Sequence, residues 1–237
     1  MNTSFLAFNP RLRQILETGT SENKHGSPIS VNSTSTLNNL HVLRQVILRR
    51  KAKETLEVGM AFGASALAML ATMREVHGPT GFHHTAIDPF QSGHWEGAGA
   101  HVVGLEGLSQ HFTLIEQRSF VALPSLFERG SRFDLIYVDG SHLFEDAFVD
   151  FYVSSYLLRT GGCILFDDCR DSHVANVMRF ILSNFSPVLR PMDLSPFELP
   201  DKPLFKRIGN QLGVLQLRGF EKISDPPRQW NSNFTRF

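Results

Sequence analysis

The apolar positions of this chain change their period several times. Leu37, Leu40, Leu43, Val46 and Ile47 recur at helical spacing and predict a helix over 37–50. Short, nearly continuous apolar runs at 55–58, 84–87, 112–115, 133–138 and 163–166 predict five strands. Between them, 64–73 is rich in Ala, Leu and Met, which favour helix. The segment 143–158 places Phe144, Ala147, Phe148, Phe151, Ser155 and Leu158 on one face, and Gly161-Gly162 is expected to end that helix. A last helix over 173–185 aligns Val174, Val177, Met178, Ile181 and Phe185. Strands apolar on both faces, alternating with amphipathic helices, predict an α/β fold with a parallel sheet covered on both sides. Pro187, Pro191, Pro196, Pro200 and Pro203 then interrupt the pattern, and 204–208 with 211–217 predict a terminal antiparallel strand pair.

Composition narrows the picture. At 237 residues the chain suits one domain with embellishments, and 42% hydrophobic with 19% charged residues is ordinary globular composition. Thr18 to Thr36 is rich in Ser, Thr, Asn and Gly and reads as a loop or mobile arm. This divides the chain into an N-terminal arm or lid (1–36), a main domain (37–219) and a polar C-terminal tail (220–237). Lys plus Arg and Asp plus Glu both number 23, so the basic excess of a dedicated nucleic-acid binder is missing. The group Arg49, Arg50, Lys51 and Lys53 reads first as a positive helix end favoured by the macrodipole, and only second as a phosphate site. No run approaches the ~18 apolar residues of a membrane helix. The first ten residues lack the pattern of a signal peptide. Two cysteines, Cys163 and Cys169, are too few for a disulfide scaffold, so a reducing, cytoplasmic setting is expected.

In open α/β sheets ligands bind beyond the carboxyl ends of the strands. The residues expected there are Glu57-Val58-Gly59, Asp88, Ser119, Asp139 to His142, and Asp167-Asp168. One or two such carboxylates would be ordinary turn residues; polar groups at five strand ends exceed that. The loop Glu57 to Gly63 leads into Ala64-Ser65 and has glycines where backbone can approach a ligand. It has no P-loop lysine, and Ala61 stands where the dinucleotide fingerprint has its middle glycine. Asp88, 25 residues after Gly63, can accept ribose hydroxyls, so a nucleoside cofactor is favoured over a plain Asp-Pro turn. NAD and S-adenosylmethionine are both compatible with these two features.

A third feature separates them. Asp139 ends the fourth strand, and Asp167 and Asp168 end the fifth. Converging carboxylates repel unless protonated or bound to a cation, and an all-oxygen set suits Mg²⁺, Mn²⁺ or Ca²⁺. One of the pair could instead cap the next helix. His142 lies three residues after Asp139 at a helix start, where the charged imidazolium is disfavoured, so a neutral imidazole acting as general base is expected. His83, His84, His94, His101 and His173 read as surface or packing residues. Cys163 reads as core, and Cys169 as a site wall without a partner to make it a nucleophile.

At these residues the sequence resembles class I S-adenosylmethionine-dependent O-methyltransferases over roughly Thr55 to Phe185. Glu57 to Ser65 looks like their first cofactor loop, and Phe133 to His142 and Gly161 to Asp168 look like their fourth and fifth strands. The nearest branch is the metal-dependent one that includes macrocin-type sugar O-methyltransferases, with the catechol type more distant. The resemblance implies a Rossmann-like doubly wound, mostly parallel seven-stranded sheet with a terminal antiparallel strand pair. It implies that Gly59 and Gly63 flank the cofactor beside Glu57, Ser65 meets the methionine carboxylate, Asp88 holds the ribose and Ser119 lies near the adenine. Asp139, Asp167 and Asp168 would bind Mg²⁺ or Mn²⁺, with Asp139 also bordering the cofactor. Asp139 and His142 would serve catalysis. A base three residues after the strand-end Asp is Lys in the catechol type and His in the sugar type. The missing middle glycine and the Pro-rich end depart from the pattern.

The implied activity is methyl transfer to a small-molecule hydroxyl, with no nucleic-acid or membrane partner; a homo-oligomer is compatible with it. The acceptor would be set by 1–36, by 90–110 with Trp95, and by the loop after Asp168. A nicotinamide-dependent oxidoreductase and a non-catalytic nucleoside-cofactor-binding protein are the alternatives. The acidic cluster counts against the first and the set of Asp139, Asp167, Asp168 and His142 against the second.

Overall fold

The computed structural model describes residues 4–199, 216–225 and 232–237. It contains a seven-stranded sheet whose strands lie in the order Phe112–Ile115, His83–Ile87, Glu54–Val58, Phe133–Val138, Leu158–Phe166, Arg218–Lys222 and Leu189–Pro191, the mostly parallel α/β architecture expected, and a separate two-stranded hairpin. The chain forms two compact units, Met1–Arg118 and Ser119–Phe237.

In the first unit, α1 (Pro10–Thr18) starts where the Asn9 side chain accepts from the Leu12 N–H, with Pro10 in the first turn, and ends at Gly19 in the left-handed conformation. Leu12 and Ile15 are buried, and α1 packs on α3 (Ala64–His77). The segment expected to be a loop forms a hairpin of β1 (Thr20–Glu22) and β2 (Pro28–Ser30). Its turn is closed by the Asn23 side chain, which accepts from the His25 and Ser27 N–H groups, a local bond that hydropathy does not report. Helix α2 (Leu37–Arg50) is capped by Thr36 and buries Leu40, Leu43, Val46 and Ile47. Parallel strands β3 (Glu54–Val58), β4 (His83–Ile87) and β5 (Phe112–Ile115) follow, with α4 (Ala98–Leu105) between the last two.

The second unit holds α5 (Ser119–Glu128), β6 (Phe133–Val138), α6 (Phe144–Leu157), β7 (Leu158–Phe166) and α7 (Ser172–Asn184). Strands β6 and β7 run parallel, aligning Val138 with Phe166. Gly161-Gly162 does not end α6, as expected from sequence. The helix stops at Leu157, and both glycines lie inside β7 at a register shift opposite Phe133–Leu135. Gly161 has φ 84, and a side chain on Gly162 would meet the Asp134 carbonyl at 2.8 Å, so the irregularity requires them.

The antiparallel pair at the end of the sheet is β8 (Leu189–Pro191) with β9 (Arg218–Lys222), and β9 also pairs with β7. The expected strand over 204–208, and 211–215 of its partner, lie outside the described residues. Strand β9 crosses the expected boundary at 219 and ends in buried Lys222, whose ammonium donates to the Ser155 and Leu158 carbonyls at 3.0 and 2.7 Å. In the tail, Thr235 exchanges two hydrogen bonds with the Asn184 side chain, and Phe234 and Phe237 contact the Phe180 ring. No helix among the described residues is long and apolar enough to cross a membrane.

Candidate active site

The first unit carries the glycine loop. Gly59 (φ 86) and Gly63 (φ 83) both take the left-handed conformation, and Gly63 opens α3. A side chain on Gly63 would approach the Gly99 backbone to 3.0 Å. Asp88, at the end of β4, is buried and organises this loop. Its Oδ2 accepts from the Met60 and Ala61 N–H groups at 3.1 and 2.9 Å, and its Oδ1 accepts from Phe90 N–H at 2.9 Å. The carboxylate expected to meet a ligand therefore also fixes the backbone that would cradle it.

Glu57 and Ser65 are both buried, and the Ser65 hydroxyl donates to Glu57 Oε2 at 2.5 Å. The other Glu57 oxygen lies 3.1 Å from His84 Nε2, and His84 Nδ1 lies 2.8 Å from the Thr55 hydroxyl. This brace joins the start of α3 to β3 and β4. His84, expected as a surface or packing residue, is fully buried beside Glu57, in a strand whose residues 84–87 are all buried.

The second unit carries the acidic centre. Ligand atoms of Asp139, His142 and Asp168 lie within 4.8 Å of one another. His142 Nε2 is 3.0 Å from Asp168 Oδ2. The helix-start effect expected to favour a neutral imidazole does not dominate here. The hydrogen bond to Asp168, aided by the Asp168, Asp139 and Asp171 charges, raises the His142 pKa above its ordinary value despite partial burial. The same bond holds the Asp168 carboxyl below its ordinary value. His142 also precedes α6, which begins at Phe144, so it stands outside the turn in which a helix dipole acts strongly.

Asp167 is not in this trio. It is buried, and its carboxylate accepts from the Tyr137 hydroxyl at 2.6 Å, from Asp168 N–H at 2.7 Å and from the Gln216 amide at 3.2 Å. Gln216 also donates to Asp168, and the Tyr137 hydroxyl lies 3.1 Å from Asp139 Oδ2. Asp168 has φ 49, a left-handed turn that Asp tolerates better than most side chains. Asp139 and Asp168 offer hard oxygen donors suited to a divalent cation, with the His142 imidazole beside them.

Ser119 is the first residue of α5 and neighbours buried Asp150 of α6. Cys169 is buried, its Sγ lies 3.1 Å from the Phe166 carbonyl, and burial pushes its thiol up to about 12, which disfavours the thiolate. Cys163 is a core residue, as expected. His173 accepts from Phe144 N–H and so ties α7 to the start of α6. Sequence reasoning missed Gln91, Tyr137, Asp150 and Gln216. Only Asp150 gave a signal, as a charge one position from Phe151 on the apolar side of α6.

Residues 56–169, just under half of the chain, match a family model described as a methyltransferase domain. No curated protein matches the chain. Among solved structures, the SAH-bound Podospora anserina methyltransferase PaMTH1 is 17% identical, with 93% of each chain covered and a TM-score of 0.63. A Bacillus cereus O-methyltransferase in complex with SAH is 14% identical, covering 80% of this chain and 87% of that one, with a TM-score of 0.61. A Klebsiella pneumoniae protein assigned as an O-methyltransferase is 23% identical, covering 78% of this chain and 82% of that one, with a TM-score of 0.60. At these identities the likeness to solved structures is one of fold. The fold is Rossmann-like, and residues 56–169 resemble a methyltransferase domain.

Proposed function

We propose that this chain transfers a methyl group from S-adenosylmethionine to a hydroxyl of a small molecule, assisted by a divalent cation such as Mg²⁺ or Mn²⁺. The observation that carries the reading is the Asp139, His142 and Asp168 trio in a chain whose residues 56–169 match a methyltransferase domain. Two of the solved structures of this fold hold SAH, the demethylated cofactor. The glycine loop and Asp88 are the residues for the cofactor, with Glu57 and Ser65 bracing the loop from beneath and Ser119 toward the adenine. Asp139 and Asp168 would hold the cation, Asp167 would support them through Tyr137 and Gln216, and the metal's charge would lower the pKa of the acceptor hydroxyl. His142, beside Asp139 and Asp168, would take the hydroxyl proton as general base. Positioning of the two reactants supplies the rest of the acceleration. The metal-dependent, macrocin-type branch, a cytoplasmic setting and the arm at 1–36 as an acceptor lid belong to this reading.

Calorimetric titration with S-adenosylmethionine and with NAD, each with and without Mg²⁺, tests it. Binding of S-adenosylmethionine alone is expected. Methyl transfer to a panel of sugar and phenolic hydroxyls should stop in EDTA and return with Mg²⁺ or Mn²⁺. Preference for NAD, or full transfer in EDTA with no metal bound, would refute the cofactor or the metal part respectively.

A further inference from the structure

Ala61 occupies the place of the middle glycine in the cofactor loop and yet has φ 46, a left-handed conformation that is strained for a residue with a Cβ. The peptide groups on either side of it are held. Its N–H donates to Asp88 Oδ2 at 2.9 Å, and its carbonyl accepts from Gln91 Nε2 at 2.6 Å. The same Gln91 nitrogen lies 3.2 Å from Asp88 Oδ2, so one amide group ties the two anchors together. Both neighbours are acceptors, which fixes the nitrogen rather than the oxygen of the amide toward the loop. Gln91 is fully buried, and its Oε1 has no hydrogen-bond partner among the described residues. A buried orphan acceptor is unfavourable and calls for a reason. The fit also needs Gly99, at the start of α4. A Cβ there would stand 2.7 Å from the Ala61 carbonyl oxygen and 2.8 Å from Gln91 Oε1.

We propose that Gln91 is a positioning residue for the cofactor loop, holding Ala61 in the conformation that a glycine would adopt without help. The inference rests on the reading that this loop binds S-adenosylmethionine. It makes Gln91 and Ala61 energetically coupled: the clamp is needed because residue 61 has a side chain.

The test uses the full chain with SAH as probe. Wild type, Gln91→Met, Ala61→Gly and the double variant are compared by calorimetry and by amide hydrogen exchange of 59–63 in the ligand-free protein. Gln91→Met should weaken SAH about tenfold or more, the scale of two lost hydrogen bonds. In the Ala61→Gly background the same substitution should cost less than about threefold. Exchange protection of the loop should follow the same pattern, lost in Gln91→Met and regained in the double variant. Equal losses in both backgrounds would overturn the inference, because a merely structural glutamine would act additively. If Gln91→Met does not fold, the double variant against Ala61→Gly decides: matching affinities support the clamp, and a tenfold loss overturns it. If wild type binds no SAH, the functional reading fails while loop exchange still judges the coupling by the same two outcomes.

Discussion

Asp150 sits on the inner side of α6 with 1% of its surface exposed, and neither carboxylate oxygen has a well-formed hydrogen bond among the described residues. Ser154, one turn later, also buries a hydroxyl with no hydrogen-bond partner among the described residues. Burial raises the Asp150 pKa from 3.8 to about 7, the Ser119 hydroxyl offsets this in part, and Asp146 adds repulsion. Between these values the unfolded chain has released the proton while the folded chain retains it. Stability therefore falls as pH rises through this window. A gap from 3.8 to about 7 corresponds to about 4 kcal/mol of stability lost by pH 8. This is an upper bound, since local relaxation and water entry reduce it. Asp150→Asn keeps the shape and removes the titration. Its amide carries its own burial cost, but that cost does not vary with pH. The stability of the variant relative to wild type should therefore rise from pH 4 to 7 by up to about 4 kcal/mol and level off above. Urea unfolding of both proteins at pH 4 to 9 measures it. A pH-independent difference between the two would refute the assignment of a buried, protonated Asp150.

Three further outcomes are expected. His142→Ala should lower turnover on a verified acceptor by ~10²–10⁴-fold, the usual worth of a positioned base, and leave S-adenosylmethionine affinity nearly unchanged by calorimetry. Lys222→Met should destabilise the fold by about 2–3 kcal/mol in urea, because the Ser155 and Leu158 carbonyls lose a charged donor in a buried place. Gly161→Ala should also destabilise, by about 1–2 kcal/mol in the same assay, since φ 84 is strained for any residue with a Cβ.

Much of the fold was legible in the chain because helix and strand leave periods of 3.6 and 2 in the apolar pattern. The strands at 112–115 and 133–138 and the helix at 37–50 have the bounds that the pattern predicts. Elements whose signal is not periodic were missed. The hairpin at 20–30 is held by the Asn23 side chain, and α5 contains Pro124 in its interior, which reads as a break. Gly161-Gly162 looks like a helix stop from either side, and only the bulge against β6 reveals its place inside a strand.

The candidate site divides in the same way. Sequence alone put Asp139, His142, Asp167 and Asp168 at strand ends, since apolar runs end where polar residues begin. Which of them converge was decided by register. With Val138 aligned to Phe166, Asp139 and Asp167 both approach Tyr137, which holds Asp167 by the shorter bond. The left-handed turn at Asp168 then brings its carboxylate to His142. The sign of the His142 shift follows from that contact, and no local rule contains it. Ala61 is the same lesson in the first unit. Its side chain argued against a tight loop, but Asp88 and Gln91, 27 and 30 residues away, hold the conformation. Hydrophobic period is a property of neighbouring residues and survives in the sequence. Hydrogen bonds between distant residues depend on where the packed strands bring them, and only the tertiary structure sets that.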